Sequence, residues 1–206
     1  GFKRRGFHLS PSFALPYVRR RVESVLAEMT DTAWFLDCDA AYEYFDDYSP
    51  EHPATRVQDV DGRRKRLAWL GDAHRLVVGS EGGSVLFSDL VAFGHGVHTP
   101  YIGHLDPDFM DASSPAFLGK YWPPDAPAQS FAPAVAPASV IHPFFDPCVR
   151  IPLYRAAVGD EIVTTHHWSM DSLKLANVAQ TRELLELLYL VPPMYHVSRA
   201  TWPKRE

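Results

Sequence analysis

The chain has 206 residues, of which 46% are hydrophobic and 22% charged, and its formal net charge at pH 7 is −5. This composition is typical of a globular domain, and the negative charge argues against nucleic acid as a partner. We interpret the basic run 63–66 as a solvated helix face and expect no membrane partner, since no apolar run is long enough to span a bilayer. Two cysteines, Cys38 and Cys148, are too few for a disulfide framework and leave the compartment open.

The first third of the chain predicts a helix, a strand and a second helix. Apolar residues at helical spacing over Val18–Met29, with Pro16 near the first turn, predict the first helix. The run Trp34–Leu36 predicts a buried strand. After a polar loop, Thr55 is the expected N-cap of a helix that stops near Gly71.

A second buried strand is predicted over Leu76–Val78, and it ends in the glycine-rich turn 79–83. The resulting order is helix, strand, helix, strand, and both strands are apolar on both faces. This pattern is typical of a parallel sheet covered by helices.

The rest of the chain is less regular. Val85–Tyr101 predicts a short strand or helix followed by a loop, and a Pro/Ala-rich surface loop is expected at about 121–140. A strand is expected near Ile162–Thr165 and a helix over Val178–Val191, which the following prolines end. Met194–Val197 predicts a last strand.

These elements predict an α/β fold in a single domain over residues 1–206. The count is roughly four strands and three or four helices, whereas a complete (β/α)8 barrel usually takes about 250 residues. Both an open doubly wound sheet and the C-terminal part of a barrel fit. The start, GFKRRGFHLS, has no initiator Met and no apolar signal-peptide region, so we expect a processed chain or a piece of a longer one.

Acidic residues follow the first two predicted strands. Asp37 and Asp39 follow the first, and Glu81 follows the second. Neighbouring parallel strands lie about 4.8 Å apart, so their terminal carboxylates can lie about 5–5.5 Å apart, as in retaining glycosidases. One acid would attack the anomeric carbon, and the other would protonate the leaving oxygen and then activate water. The alternative is that Glu81 caps a loop and Asp39 is a turn residue.

Four segments carry a resemblance to a known family. From about residue 30 to residue 200 the chain is similar to the barrel glycoside hydrolases that act on α-linked N-acetylgalactosamine (families 101 and 129) and to their uncharacterised relatives. The resemblance implies that Asp37 is the nucleophile and Glu81 the acid/base. It also implies a carbohydrate substrate, no cofactor, and the C-terminal part of a (β/α)8 barrel whose N-terminal remainder completes the fold. The segments are FLDCDA, DDYSPEHPATR, VVGSEGG and VRIPLYRAAVGDEIVTTHHW.

A second cluster of candidate substrate-binding residues follows the strand predicted near residue 165. His166 and His167 would bind sugar hydroxyls, Trp168 would stack on a pyranose, and Asp171 would orient a histidine. The alternative is core packing. Adjacent histidines in a strand point in opposite directions, which argues against one shared metal ion.

The loop after Asp37 supplies further candidates. Tyr48 and His52 are predicted, with Asp39, to line the substrate cleft, and a solvated loop is the equal alternative. His95 and His98 are weaker candidates. The sequence contains neither HExxH nor CxxC, so no metal site is predicted.

Two other functions compete with the glycosidase. WFLDCDA also resembles the first motif of haloacid-dehalogenase-type phosphatases, in which the first Asp attacks phosphorus, the second is a general acid, and Mg²⁺ lies between them. That family needs a later acidic pair after a strand, and the only candidate, Asp160 with Glu161, follows a weak one. The third interpretation is a barrel fragment that binds sugar without catalysis.

Overall fold

The structure, a computed structural model, describes residues 9–97, 107–122, 125 and 127–197. The chain divides into two compact units, with the division after Phe93. None of the helices described is both long enough and apolar enough to cross a membrane.

The first unit alternates helices and strands, as the sequence predicts. Strands β1 and β2 pair in parallel, and helix α1 packs against α2. The prediction of a parallel α/β arrangement is therefore confirmed. The elements are α1 (Pro11–Leu26), β1 (Ala33–Leu36), α2 (Arg56–His74) and β2 (Val77–Glu81).

Helix α2 begins where its sequence predicts. The Thr55 hydroxyl accepts a hydrogen bond from the Gln58 amide, and the Gln58 side chain bonds back to the Thr55 amide, which forms a capping box. The helix continues one turn past Gly71 and ends at Arg75, whose φ of 55° is left-handed. The predicted N-cap is confirmed, and the predicted end is one turn too early.

The two strands are less buried than predicted. Phe35 of β1 is 41% exposed and Val77 of β2 is 50% exposed, while the centre of β2 is buried. The Phe93 ring packs directly on Gly79, because a Cβ there would lie 2.2 Å from the ring. That ring stacks on Phe35 with their centroids 6.2 Å apart.

Strands β3 (Phe93–His95) and β4 (Val163–Thr165) are three residues long each. β3 spans the division between the units, and the remaining elements belong to the second unit. Short 3-10 turns lie at Pro107–Met110 and Ala176–Val178. The elements are β3 (Phe93–His95), α3 (Ala128–Phe131), α4 (Ala138–Phe145), α5 (Leu153–Ala157), β4 (Val163–Thr165) and α6 (Ala179–Tyr189).

Part of the segment predicted as a Pro/Ala-rich surface loop is buried. Ala134, Ala136 and Val140 belong to the hydrophobic core of the second unit, with Phe109 and Leu175. The Ala134 amide donates to the Lys174 carbonyl, and the Ala136 amide donates to the Asn177 side chain. Hydrogen bonds to residues 174–177 thus satisfy backbone groups that the prolines keep out of a regular helix or strand ladder.

The end of the described chain differs from its prediction. Helix α6 ends at Tyr189, and its C-cap Leu190 has a φ of 56°. The predicted strand Met194–Val197 is wrong, because these residues form no ladder. Instead, the Met194 amide and carbonyl bond to Ser172, and the His196 amide donates to Asp171.

Candidate functional site

The ends of β1 and β2 bring two predicted catalytic acids together. Leu36 lies opposite Ser80 in the parallel register, so Asp37 and Glu81 occupy the next matching positions. One carboxylate oxygen of each acid and the Cys38 Sγ all lie within 4.8 Å of one another. The strand pairing itself therefore sets the short separation of the two carboxylates.

Cys38 lies between the two acids and contacts one of them. Its Sγ donates to Oε2 of Glu81 over 2.9 Å. Desolvation of the sulfur, this hydrogen bond and the carboxylates of Glu81, Asp37 and Glu43 raise the pKa of Cys38 to about 12. The group is therefore a protonated donor over the ordinary working range of an enzyme.

Two arginines of α2 hold the turn that carries Asp37. Arg66 binds Asp39 with two hydrogen bonds, Nε to Oδ2 at 2.9 Å and Nη2 to Oδ1 at 2.6 Å. Arg63 donates to the Cys38 carbonyl at 3.0 Å and pairs with Asp59. Asp39 thus has an observed role as a partly buried anchor of the turn, and its predicted contact with substrate stays a prediction.

The strand ends are also linked to each other directly. The Ser80 hydroxyl, fully buried, donates to the Leu36 carbonyl at 2.7 Å and accepts from the Ala40 amide at 2.9 Å. Directly after Glu81, Gly82 has a φ of +69°, and a Cβ there would lie 3.1 Å from Ala41 Cα. The backbone that presents Asp37 and Glu81 is thus fixed by local hydrogen bonds and a glycine turn.

Three predicted substrate-binding residues line one cavity of about 610 Å³ in the first unit, together with Cys38. They are Asp39, Tyr48 and His52. Tyr48 is 87% exposed, and His52 Nδ1 lies 2.7 Å from Asp47 Oδ2. The hydrogen bond to Asp47 raises the pKa of His52. The cavity gathers the polar groups that a sugar-binding cleft needs.

The two adjacent histidines lie in the second unit. His166 Nε2 lies 2.6 Å from Glu186 Oε1, both side chains are buried, and burial raises the pKa of Glu186. His167 lies 2.6 Å from the Ser169 hydroxyl and stacks on His95, with ring centroids 5.2 Å apart. His166 thus has a core partner, and its sugar-binding role stays a prediction, as does that of His167.

Trp168 and Asp171 also belong to the second unit. Trp168 packs against Tyr121, with ring centroids 5.3 Å apart. The Asp171 carboxylate accepts from the backbone amides of Leu173 and His196, both at 3.1 Å. Their substrate roles stay predictions, and His98, a weaker candidate, lies outside the described residues.

Comparison with known proteins assigns the family. Residues 1–206 match the model of the glycosyl hydrolases related to the GH101 family, GH129. The chain belongs to the GH129 family. The resemblance inferred from FLDCDA and the other three segments is thereby confirmed.

Solved structures of one GH129-like enzyme share the fold. They are of α-N-acetylgalactosaminidase NagBb from Bifidobacterium bifidum. The ligand-free form is 22% identical, with a TM-score of 0.51, and the match covers 76% of this chain and 20% of NagBb. The GalNAc complex is 21% identical, with a TM-score of 0.50 and the same coverages. This GH129 chain therefore spans about a fifth of NagBb, and no curated protein sequence matches it significantly.

The cluster in this GH129 chain has the spacing of a metal site. Asp37, Cys38 and Glu81 could all reach one cation by distance. A ligating cysteine must first lose its proton, and here the thiol is a protonated donor to Glu81. A cation bound here would therefore displace the thiol proton.

Sequence reasoning missed the groups that support the acids of this GH129 chain. The basic run was interpreted as a solvated helix face, which is wrong for Arg63 and Arg66, since both are buried. The signal was present in the helical spacing, because these arginines share a face with Leu67 and Leu70. A charged residue on an apolar helix face predicts a buried partner.

Proposed function

We propose that the chain carries the catalytic carboxylates of a retaining glycoside hydrolase that acts on α-linked sugars. The observation that supports this most strongly is the placement of Asp37 and Glu81 at matching positions of two parallel strands, with carboxylate oxygens within 4.8 Å. Such a short separation is typical of the retaining mechanism. GH129 membership supports the glycosidase class, and the name of NagBb makes α-N-acetylgalactosaminides the first substrates to test.

In the first step, the Asp37 carboxylate attacks the anomeric carbon while the glycosidic C–O bond breaks. The Glu81 carboxyl gives its proton to the leaving oxygen, which departs as the alcohol. In the second step, Glu81, now ionised, takes a proton from water, whose oxygen attacks the anomeric carbon and displaces Asp37. The products are an alcohol and a free sugar with its original anomeric configuration.

Other residues would bind the sugar. Tyr48 and His52 line the cavity beside Cys38, with Asp39 at its wall. His166 and His167 would bind sugar hydroxyls, Trp168 offers an aromatic face to a pyranose, and Asp171 would orient a histidine. These assignments extend the sequence predictions and are tested by the effect of each substitution on KM.

We also propose that the sheet is part of a (β/α)8 barrel that a preceding segment of the full-length protein completes. The exposed ring of Phe35 on β1 supports this, because barrel strands are covered on both faces. The match to about a fifth of NagBb is consistent with a piece of a larger enzyme.

The phosphatase interpretation is the runner-up, and the structure favours it less. That mechanism needs the second carboxylate of the DxD pattern, Asp39, as a general acid. The Asp39 carboxylate instead accepts hydrogen bonds from Nε and Nη2 of Arg66. A sugar-binding fragment without catalysis is the third outcome. Hydrolysis of p-nitrophenyl phosphate with Mg²⁺ would identify the phosphatase. Binding of sugar without turnover would identify the non-catalytic fragment.

The experiment assays the full-length protein with p-nitrophenyl α-N-acetylgalactosaminide and identifies the first-formed anomer by NMR. Asp37→Ala and Glu81→Ala should each lower kcat about 10³-fold, because each removes a group that acts on the reacting atoms. Azide should partly rescue Glu81→Ala with this good leaving group. Glu28→Ala, an exposed acid of the same unit, is the control.

Three results would contradict the proposal. They are an inverted product, phosphatase activity without glycosidase activity, and full activity in either alanine variant. If Asp39→Asn abolishes turnover while Asp37→Asn does not, the nucleophile is misassigned.

A further inference from the structure

We propose that Cys38 is a positioning residue for Glu81, and that its thiol fixes which carboxylate oxygen carries the transferred proton. The inference rests on the proposed function of Glu81 as the acid/base. The Cys38 Sγ–H donates to Oε2 over 2.9 Å, so the proton that Glu81 transfers to the leaving oxygen is carried on Oε1. The thiol itself does not react, and it acts only through Glu81.

The backbone of Cys38 directs the thiol to this place. Its φ of 60° lies in the left-handed region, which non-glycine residues rarely adopt and which costs about 1–3 kcal/mol. Two arginines hold this conformation. Arg63 binds the Cys38 carbonyl, and Arg66 binds the carboxylate of the neighbouring Asp39. A strained backbone that surrounding ion pairs enforce, and that aims a donor at an acid, is typical of a functional site.

The charges around Cys38 keep it a donor. Three carboxylates act on the thiol, those of Glu81, Asp37 and Glu43, and each raises the pKa of Cys38. The cation that contacts this residue, Arg63, binds the backbone carbonyl of Cys38 and pairs with Asp59. The thiol therefore stays protonated, and it stabilises Glu81 most when Glu81 is ionised, between the two chemical steps.

The test compares pH profiles of kcat/KM for Cys38→Ala and Cys38→Ser in the full-length enzyme. The basic limb of the profile reports the loss of the acid proton of Glu81. Loss of the thiol donor should move this limb up by about one pH unit and leave the acidic limb in place. The kcat should fall about tenfold with KM within about twofold, because a misplaced acid affects the chemical step.

Cys38→Ser keeps a hydrogen-bond donor on the same Cβ, so its basic limb and its kcat should lie close to those of the wild type. Cys148→Ser, at the other exposed cysteine, is the control and should change neither. Cys38→Gly removes the thiol without backbone strain at this φ, so it replaces Cys38→Ala if that variant does not fold. Identical profiles for wild type, Cys38→Ala and Cys38→Gly would overturn the proposal, as would equal shifts in Cys38→Ser and Cys38→Ala.

A second measurement separates this inference from the proposed function. The pH dependence of the rate at which iodoacetamide alkylates Cys38 is measured in Cys148→Ser, with and without Glu81→Gln. Neutralising Glu81 should lower the Cys38 midpoint by at least about one pH unit, and an unchanged midpoint overturns the inference whatever the substrate. A lowered midpoint in a protein that cleaves no glycoside supports the contact and refutes the proposed function.

Discussion

The two compact units bury their cations in different ways. In the first unit, Arg63 and Arg66 of α2 meet the carboxylates of Asp59 and Asp39. In the second unit, the buried Lys174 donates to three backbone carbonyls, those of Leu118, Ala128 and Ala132. The arginines that pair with carboxylates hold the turn after β1, whereas Lys174 satisfies hydrogen-bond acceptors of the main chain.

The difference follows from what each region lacks. The Pro/Ala-rich segment cannot form a continuous helix or ladder, so its carbonyls need other donors, and Lys174 supplies three. Desolvation by burial lowers the pKa of Lys174 to about 8. The turn after β1 instead places the exposed Asp37 beside Cys38, whose φ is left-handed, and the ion pair behind the turn holds it together with the hydrogen bonds of Ser80 and Arg63. Buried charge thus holds the turn beside the candidate acids in one unit and satisfies the main chain in the other.

The largest expected effect is that of removing the Arg66–Asp39 ion pair of the first unit. Arg66→Met leaves the Asp39 carboxylate without its partner, and removal of one member of a buried pair costs about 3–5 kcal/mol. The local free energy of opening should fall by about that amount. Hydrogen exchange of peptides over residues 36–42, measured by mass spectrometry, checks it.

The matched control for Arg66 lies two residues earlier. Arg64 pairs with Asp89 at the surface, and exposed pairs contribute about 0–1 kcal/mol, so Arg64→Met should change little. Equal losses in Arg64→Met and Arg66→Met would show that the ion pair of Asp39 does not hold the turn.

A smaller effect is expected at Lys174, because its partners are uncharged. Lys174→Met removes the donor of three carbonyls and should destabilise the second unit by about 2–3 kcal/mol, since water can satisfy some of them. Exchange of the peptides that contain Leu118 and Ala132 should rise, while that of residues 36–42 should not. Lys120→Met, at an exposed lysine, is the control. A loss of stability in Lys174→Met that exceeds the loss in Arg66→Met would contradict the expected order.

The sequence predicts what depends on local pattern. Helix α2 and its N-cap Thr55, the strand that ends before Asp37, and the approach of Asp37 to Glu81 all follow from periodicity and the rules of parallel sheets. The left-handed φ of Cys38 and its bond to Glu81 do not, because they depend on Arg63 and Arg66, which reach the turn from 25 and 27 residues away.

The same limit applies to the second unit. Burial of Ala134 and Ala136 depends on their pairing with residues 174–177, about 40 residues later, which no periodicity in a Pro/Ala-rich segment encodes. The buried partner of His166, Glu186, lies on a helix 20 residues further along, and no sequence pattern indicates it. Nonlocal partners of buried polar groups are what a single sequence does not reveal.

The smallest expected effect concerns how the arginine-bearing helix begins. Helix α2 has a capping box at Thr55, whereas α6 of the second unit begins at Val178 without a side-chain cap. Thr55→Ala should destabilise α2 by about 1 kcal/mol, and Thr55→Ser should restore most of it, because serine keeps the accepting oxygen. Urea unfolding measures the loss. Since Arg63 and Arg66 lie two to three turns further along α2, exchange of residues 36–42 should increase less than in Arg66→Met. An increase as large as in that variant would show that the turn depends on the start of the helix rather than on the ion pair.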